Sequence, residues 1–213
     1  MRLWLVDAKV LTNAPTRSID TPIRSLHEGA TAIQSVTVRD AVPDDGAAVA
    51  AIGQVAVPDT YRDLCPPSVI RSIVEQSYSL PALRDCINEC RQADDAHFLV
   101  AERGNEVVGF LHYDAKGDEP ELHRIYIEPE LKRSGIGSAM MHELHRRLAP
   151  GATYILMVVA DNRPAVAFYQ RHGLVEEARV DGPSYMHEHM GVSFPPGTPA
   201  VPALVLRYWK VRS

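Results

Sequence analysis

An α/β fold is predicted by three features of this 213-residue chain. Apolar residues recur at every second position in some segments and every third or fourth in others. The two kinds of segment alternate along the chain, a pattern that one sheet covered by helices satisfies. Their boundaries carry the proline, glycine and Asx residues that end regular structure.

The first 35 residues show no sustained period and read as an extension, with one short strand near Leu3–Val6, so the domain is expected over residues 36–213. Val36-Thr37-Val38-Arg39 alternates as a strand does. Pro43-Asp44-Asp45 opens a helix over Ala47–Val57, with acids where the helix dipole favours them and Pro58 to stop it. Two further helices are expected over Pro67–Gln76 and Pro81–Gln92. His97–Glu102 and Val107–Tyr113 read as antiparallel partners about the turn Arg103-Gly104-Asn105. Lys116-Gly117-Asp118 then turns into a strand over Glu121–Glu128, which Pro129 ends.

Gly135–Leu148 is helical by pattern, with Ile136, Met140, Leu144 and Leu148 on one face and His142, Glu143, Arg146 and Arg147 on the other. Tyr154–Ala160 is almost wholly apolar, as a strand buried on both faces should be. Asn162 caps the next helix, Pro164 lies in its first turn and Gly173 closes it. Leu174–Arg212 reads as strands around the proline-rich loop Phe194–Pro202.

Composition narrows the function classes. A net charge of −5 supplies no global basic face, so no nucleic-acid partner is expected. The apolar opening Met1–Val6 is broken by Asp7 and Lys9 before it resembles a signal sequence, and no stretch reaches the ~18 apolar residues of a membrane span. The expected setting is therefore the cytoplasm, with no membrane partner. Three cysteines without a CxxC pair suit a reducing compartment. Cys86 and Cys90 would share a helix face, read here as small buried residues, since no second Cys/His pair completes a zinc site in the sequence.

The segment that carries chemistry is Lys132-Arg133-Ser134-Gly135-Ile136-Gly137-Ser138, between a strand and a helix. Two glycines there allow a tight turn and a close backbone approach. The unpaired N–H groups of the helix start attract phosphate oxygens. It is neither the nucleotide-triphosphate loop, which needs Lys-Ser/Thr after the second glycine, nor the dinucleotide fingerprint, which needs a third. Alone, such a pair also occurs in plain tight turns.

Its surroundings are more specific. The run Glu121-Leu122-His123-Arg124-Ile125-Tyr126-Ile127-Glu128-Pro129 leading into Lys132–Met141 resembles the acetyl-CoA-binding core of the Gcn5-related N-acetyltransferase (GNAT) superfamily. A second block, Asp161–Leu174, is similar to that superfamily's Asn-x-x-Ala-x-x-Phe-Tyr-x-x-x-Gly-Phe element. The likeness runs from about Val36 to the C-terminus and is strongest from Glu121 to Leu174. Lys132 stands where the family usually has Gln or Arg, and Leu174 where it has Phe; a positive charge and an apolar plug are kept.

The resemblance implies a mixed, mostly antiparallel sheet, splayed at its fourth and fifth strands, with helices on both faces. It implies acetyl-CoA as co-substrate, with the backbone of Ile125, Tyr126 and Ile127 pairing with the pantetheine arm and Ile125 N–H nearest the thioester carbonyl. The loop Lys132, Arg133, Ser134, Gly135, Ile136, Gly137 and Ser138 would hold the pyrophosphate, Asn162 the arm, and Tyr169 would stand near the sulfur as the acid that protonates the thiolate. Transfer to an amine also needs a base, because a free alkylammonium is charged at neutrality. Glu121 is the first candidate, His123 its rival, and a water chain the third option.

His187 and His189 would share one side of a strand, but a third ligand is missing and no metal is expected. His123, Tyr185 and His187 are assigned instead to the acceptor pocket. Asp94, Asp95, Asp118, Glu119 and Glu121 offer charge to a cationic amine. The acceptor expected is thus a small-molecule amine such as a polyamine. Acetylation of a protein N-terminus or lysine and a non-catalytic acyl-CoA-binding regulator are the alternatives. A homodimer through the extension is one reading of the first 35 residues.

Overall fold

The computed structural model describes residues 35–115 and 119–210. The extension up to residue 34, its Leu3–Val6 strand and the Lys116–Asp118 turn lie outside the described residues. The elements are β1 (Val36–Asp40), α1 (Gly46–Tyr61), α2 (Pro67–Ser77), α3 (Leu80–Gln92), β2 (His97–Arg103), β3 (Glu106–Asp114) and β4 (Glu121–Ile127), followed by α4 (Ile136–Arg147), β5 (Thr153–Val159), α5 (Arg163–Arg171), β6 (Val175–Asp181), α6 (Gly182–Met190) and β7 (Pro202–Trp209). The strands form one sheet in the order β1-β2-β3-β4-β5-β7-β6, antiparallel throughout except for β4 and β5.

Period-two alternation sorts the sheet's side chains into two cores. Phe98, Val100 and Phe110 point to one face and pack with Val49, Ile52, Leu83 and Ile87 of α1 and α3. Leu99, Ala101 and Leu111 point to the other, against Met140, Met141 and Leu144 of α4. The β2–β3 turn falls where the sequence placed it, with Gly104 and Asn105 both at positive φ (59° and 71°) as a tight hairpin needs.

Two elements differ from expectation. Helix α1 runs through Pro58 to Tyr61. Proline costs a hydrogen bond to the preceding turn, but Val57 and Tyr61 pack into the first core and Arg62 N–H donates to Pro58 O at 3.0 Å, so the last turn forms. The second difference is α6, where a strand was expected. Asp181 Oδ2 caps it, accepting from Ser184 N–H at 3.1 Å, with Pro183 in its first turn and Gly191 (φ 66°) closing it. In a helix, His187 and His189 no longer share a side.

Helix α1 crosses the Tyr78 ring at Gly53, where a Cβ would lie 2.0 Å from Tyr78 Cδ1. That ring is wedged against Phe110 and Tyr126, each with centroids 6.1 Å away, so it has little room to yield. Gly53→Ala should therefore destabilise the fold by about 1–3 kcal/mol of overpacking, more than the ~0.5–1 kcal/mol gained in helix propensity. Urea unfolding measures this; an unchanged or raised midpoint would mean the ring moves freely.

Candidate active site

Strands β4 and β5 run parallel yet share one registered pair, Glu121 with Ile155. Ile155 N–H donates to Pro120 O at 2.9 Å, and beyond that bond the strands part. β4 stays paired to β3 as far as Ile127, whereas β5 turns its other edge to β7 along its whole length. The wedge between them opens as a cleft of about 630 Å³ lined by Ile125, Tyr126 and Ile127 on one wall and Met157, Asn162 and Tyr169 on the other. The β5-facing edge of β4 is left for an extended ligand to pair with.

One end of the cleft is the Lys132–Ser138 loop. Arg133 (φ 67°) and Gly135 (φ 90°) both take the left-handed conformation that turns the chain into α4. The helix start has no side-chain cap, so its first-turn N–H groups are available to an anion. Gly137 is held close, since a Cβ there would stand 3.2 Å from Ile127 Cδ1 and Phe168 Cζ. Lys132 lines the cleft while its Nζ pairs with Asp59 Oδ2 at 2.7 Å. Ser134 turns its hydroxyl back to Leu131 O at 2.6 Å, and the Ile136 side chain is in the core. From those two residues only backbone groups are offered.

Asn162 Oδ1 accepts from Ala165 N–H at 3.3 Å, which starts α5 and aims Tyr169 at the cleft. Burial, with Tyr61 and Tyr78 nearby, pushes the Tyr169 phenol well above its ordinary range, so it stays protonated.

His123 sits where the cleft meets a second cavity of about 60 Å³, and it lines both. It is also the extra residue of a bulge: His112 pairs with Arg124 and Tyr113 with Leu122, leaving His123 unmatched. Its Nε2 lies 3.1 Å from Asp114 Oδ1. Its Nδ1 is buried without a hydrogen-bond partner among the described residues, 3.8 Å from Glu121 Oε2. Burial alone would raise Asp114; hydrogen bonds from His112 and His123 overcome it and hold the carboxyl far below its usual range.

Residues 94–176 match the acetyltransferase (GNAT) domain family. This stretch is a GNAT acetyltransferase domain. A mycothiol acetyltransferase of Streptomyces bingchenggensis (strain BCW-1) is 39% identical over 85 residues, 38% of this chain and 27% of that protein. The chain thus spans about a quarter of the curated relatives it first matches. A spermidine N(1)-acetyltransferase of Thermoplasma acidophilum is 25% identical over 131 residues, covering 61% of this chain and 81% of that protein. Among solved structures, the PaiA N-acetyltransferase of Thermoplasma acidophilum in complex with coenzyme A superposes with a TM-score of 0.64 at 19% identity, over 82% of this chain and 99% of that one.

The sequence-predicted cofactor residues other than Ser134 and Ile136 line the cleft, and the acceptor-side residues divide. Glu121 lines neither cavity. It is 5% exposed, accepts a hydrogen bond from Tyr185 OH at 3.1 Å and is pushed up by burial. Tyr185 is itself buried and stacks on His189 at 4.0 Å. His187 Nδ1 lies 3.3 Å from Val192 O, away from both cavities because α6 is a helix. Of the acids proposed to attract an amine, Glu119 pairs with Arg207 at 2.8 Å and Asp118 lies outside the described residues. Asp114 and Tyr61 were missed: one is marked only by the His112-x-Asp114 spacing on β3, the other lies beyond the proline expected to end α1.

Two outcomes follow from this geometry. Gly135→Asp adds a carboxylate at the loop with no atom within 4 Å of its Cβ; at φ 90° it also costs about 1–3 kcal/mol of backbone strain, so native far-UV circular dichroism is the control. Acetyl-CoA affinity should fall about tenfold or more, the factor given by 1.4 kcal/mol of charge repulsion; unchanged affinity by calorimetry would remove the loop from the phosphate site. The second concerns pH. Because burial raises Glu121 above its unfolded value, ionising it costs stability from about pH 4.3 upward until the folded carboxyl has titrated. Glu121→Gln keeps an acceptor for Tyr185 and should stabilise the protein at neutral pH but not below about pH 4. Thermal unfolding across pH reads this, and a pH-independent difference would contradict it.

Proposed function

We propose that the chain transfers an acetyl group from acetyl-CoA to the primary amine of a small molecule by direct attack. The observation that supports this most is the position of His123, which lines both the cleft and the second cavity and is held there by Asp114. In this reading acetyl-CoA lies along the open edge of β4, its pyrophosphate at the α4 N-terminus. The amine enters from the second cavity.

The chain's own groups then divide the work. Asp114 fixes the proton on His123 Nε2 and leaves Nδ1 as acceptor, so His123 takes a proton from the attacking amine. The N–H of Ile125 stabilises the carbonyl oxygen as it becomes negative. Tyr169, a protonated phenol on the opposite wall, supplies the proton that the departing thiolate needs. Glu121, closed off by Tyr185, is not the base in this scheme.

The acceptor is read from the second cavity. Its walls include Val69, Ile73, Met186 and Met190 and, among the described residues, hold no carboxylate. A second ammonium on the acceptor would meet no counter-charge there and would be poorly compensated for its lost water. That favours a compact amine with an apolar substituent. The polyamine reading has one observation in its favour, the spermidine acetyltransferase that matches 61% of the chain.

Thiol release from acetyl-CoA, followed across apolar primary amines, polyamines, amino acids and short peptides, tests both. Turnover is expected with apolar amines above spermidine, and the reverse order would restore the polyamine. With the best acceptor, His123→Gln and Tyr169→Phe should each lower kcat about 10²–10⁴-fold, the range of general acid–base groups, with acetyl-CoA binding little changed. Glu121→Gln should stay within a few-fold of the wild type. A large loss there with His123→Gln intact would return the base to Glu121, and binding without release from any amine would favour a regulator.

A further inference from the structure

We propose that Cys86, Cys90 and His112 form a binding site for a zinc-class divalent cation behind the acetyl-transfer cleft. Read in sequence, the two cysteines had no partner for such a site. The fold supplies one by laying α3 against the sheet, so that the donor atoms of Cys86, Cys90 and His112 all lie within 4.8 Å of one another. Cys86 and Cys90 come from successive turns of α3 and His112 from the neighbouring strand β3.

The spacing suits a shared cation. Zinc holds sulfur at about 2.3 Å and imidazole nitrogen at about 2.0–2.1 Å in a tetrahedron, which sets the two ligands about 3.6 Å apart. Cys86 Sγ lies 3.4 Å from Nε2 and 3.7 Å from Nδ1 of His112. A disulfide fits less well. Helical residues four apart have Cβ atoms ≈ 5–6 Å apart, whereas a disulfide needs about 3.8 Å. A metal bridges that gap without distorting the helix.

The donor chemistry chooses the ion. Two thiolates and an imidazole select zinc-class metals over magnesium or calcium, which take oxygen. Asp114 Oδ2, 3.4 Å from His112 Nε2, supplies either the fourth ligand or the acceptor that orients a ligating imidazole. Cys90 and His112 are each 5% exposed, which keeps competing water out. The overlapping trio His112, Asp114 and His123 is also close enough for a metal, but it lacks sulfur and would occupy the proposed base.

One group opposes the cation. Arg124 Nε donates to His112 Nδ1 at 3.4 Å, and its Nη1 donates to Ser77 O at 2.9 Å. Whichever ring nitrogen ligates, that first bond is lost: Nδ1 either binds the metal or carries the ring proton. Loading thus frees one anchor of Arg124, which lines the cleft.

The test uses the full chain, stripped of metal under a non-chelating reductant and titrated with Co²⁺ and then Zn²⁺. One equivalent of cobalt should bind, with the intense absorption of tetrahedral thiolate coordination, and zinc should displace it. Cys86→Ser, at a partly exposed position, should abolish the thiolate band while far-UV circular dichroism stays native; Cys90→Ser and His112→Gln should weaken it or remove it. No thiolate band at saturating cobalt would overturn the site. So would a band that survives Cys86→Ser and Cys90→Ser alike. The readout is independent of acetyl transfer, so an inactive but metal-binding protein would leave this inference standing and remove only the functional one.

Discussion

The parting of β4 from β5 is the constraint on which the rest of the structure depends. One registered pair, Glu121 with Ile155, ties two strands that elsewhere in a sheet would bond along their length. What keeps them apart is on their outer edges. β3 holds β4, and β7 holds β5 through a continuous antiparallel ladder. The unpaired edge is tolerable because it faces an open cleft, where water or an extended ligand can satisfy it; in a dry core each orphaned group would cost about 1–3 kcal/mol. The sheet is thus built with a strand's place left open.

Desolvation gives that opening its chemistry. Tyr61, Tyr126 and Tyr169 line it and Tyr78 packs edge-on to Tyr126, and burial raises the phenol of each above its ordinary range. Four neutral phenols mark a medium that resists charge. A carboxylate survives there only with donors, as Asp114 does between His112 and His123. In the proposed reaction an ammonium entering from the second cavity would meet the same resistance, which favours the neutral amine. In that proposal the aromatic wall and His123 act in the same direction, one weakening the proton's hold and the other accepting it.

Legibility in the sequence followed the distance over which each feature is decided. Most strands and helices, and the hairpin at Gly104-Asn105, were readable because period and turn chemistry act within a few residues. The Gly135–Ser138 loop, Asn162 and Tyr169 were readable for the same reason, each motif being contiguous and resembling a known element. Helix α6 was not, because Asp181, Gly182 and Pro183 mark a turn as readily as they start a helix. Glu121 shows the deeper limit. Its strand position fixes the side of the sheet but not the depth, and it was Tyr185, 64 residues away, that closed it off. The bulge at His123 likewise depends on how β3 and β4 align, which neither strand's sequence states alone.

That bulge also joins the two sites. By slipping the register between His112 and Tyr113 it brings the rings of His112 and His123 to 4.8 Å, with the Asp114 carboxylate reaching both. The carboxylate is therefore shared, and what happens to one imidazole is felt by the other. A cation held by Cys86, Cys90 and His112 would draw on the carboxylate's negative charge. It would weaken the grip of Asp114 on His123 Nε2, and with it the tautomer on which the proposed base depends. Coupling of this kind needs no moving domain, only a carboxylate placed between two histidines by a one-residue irregularity in a strand.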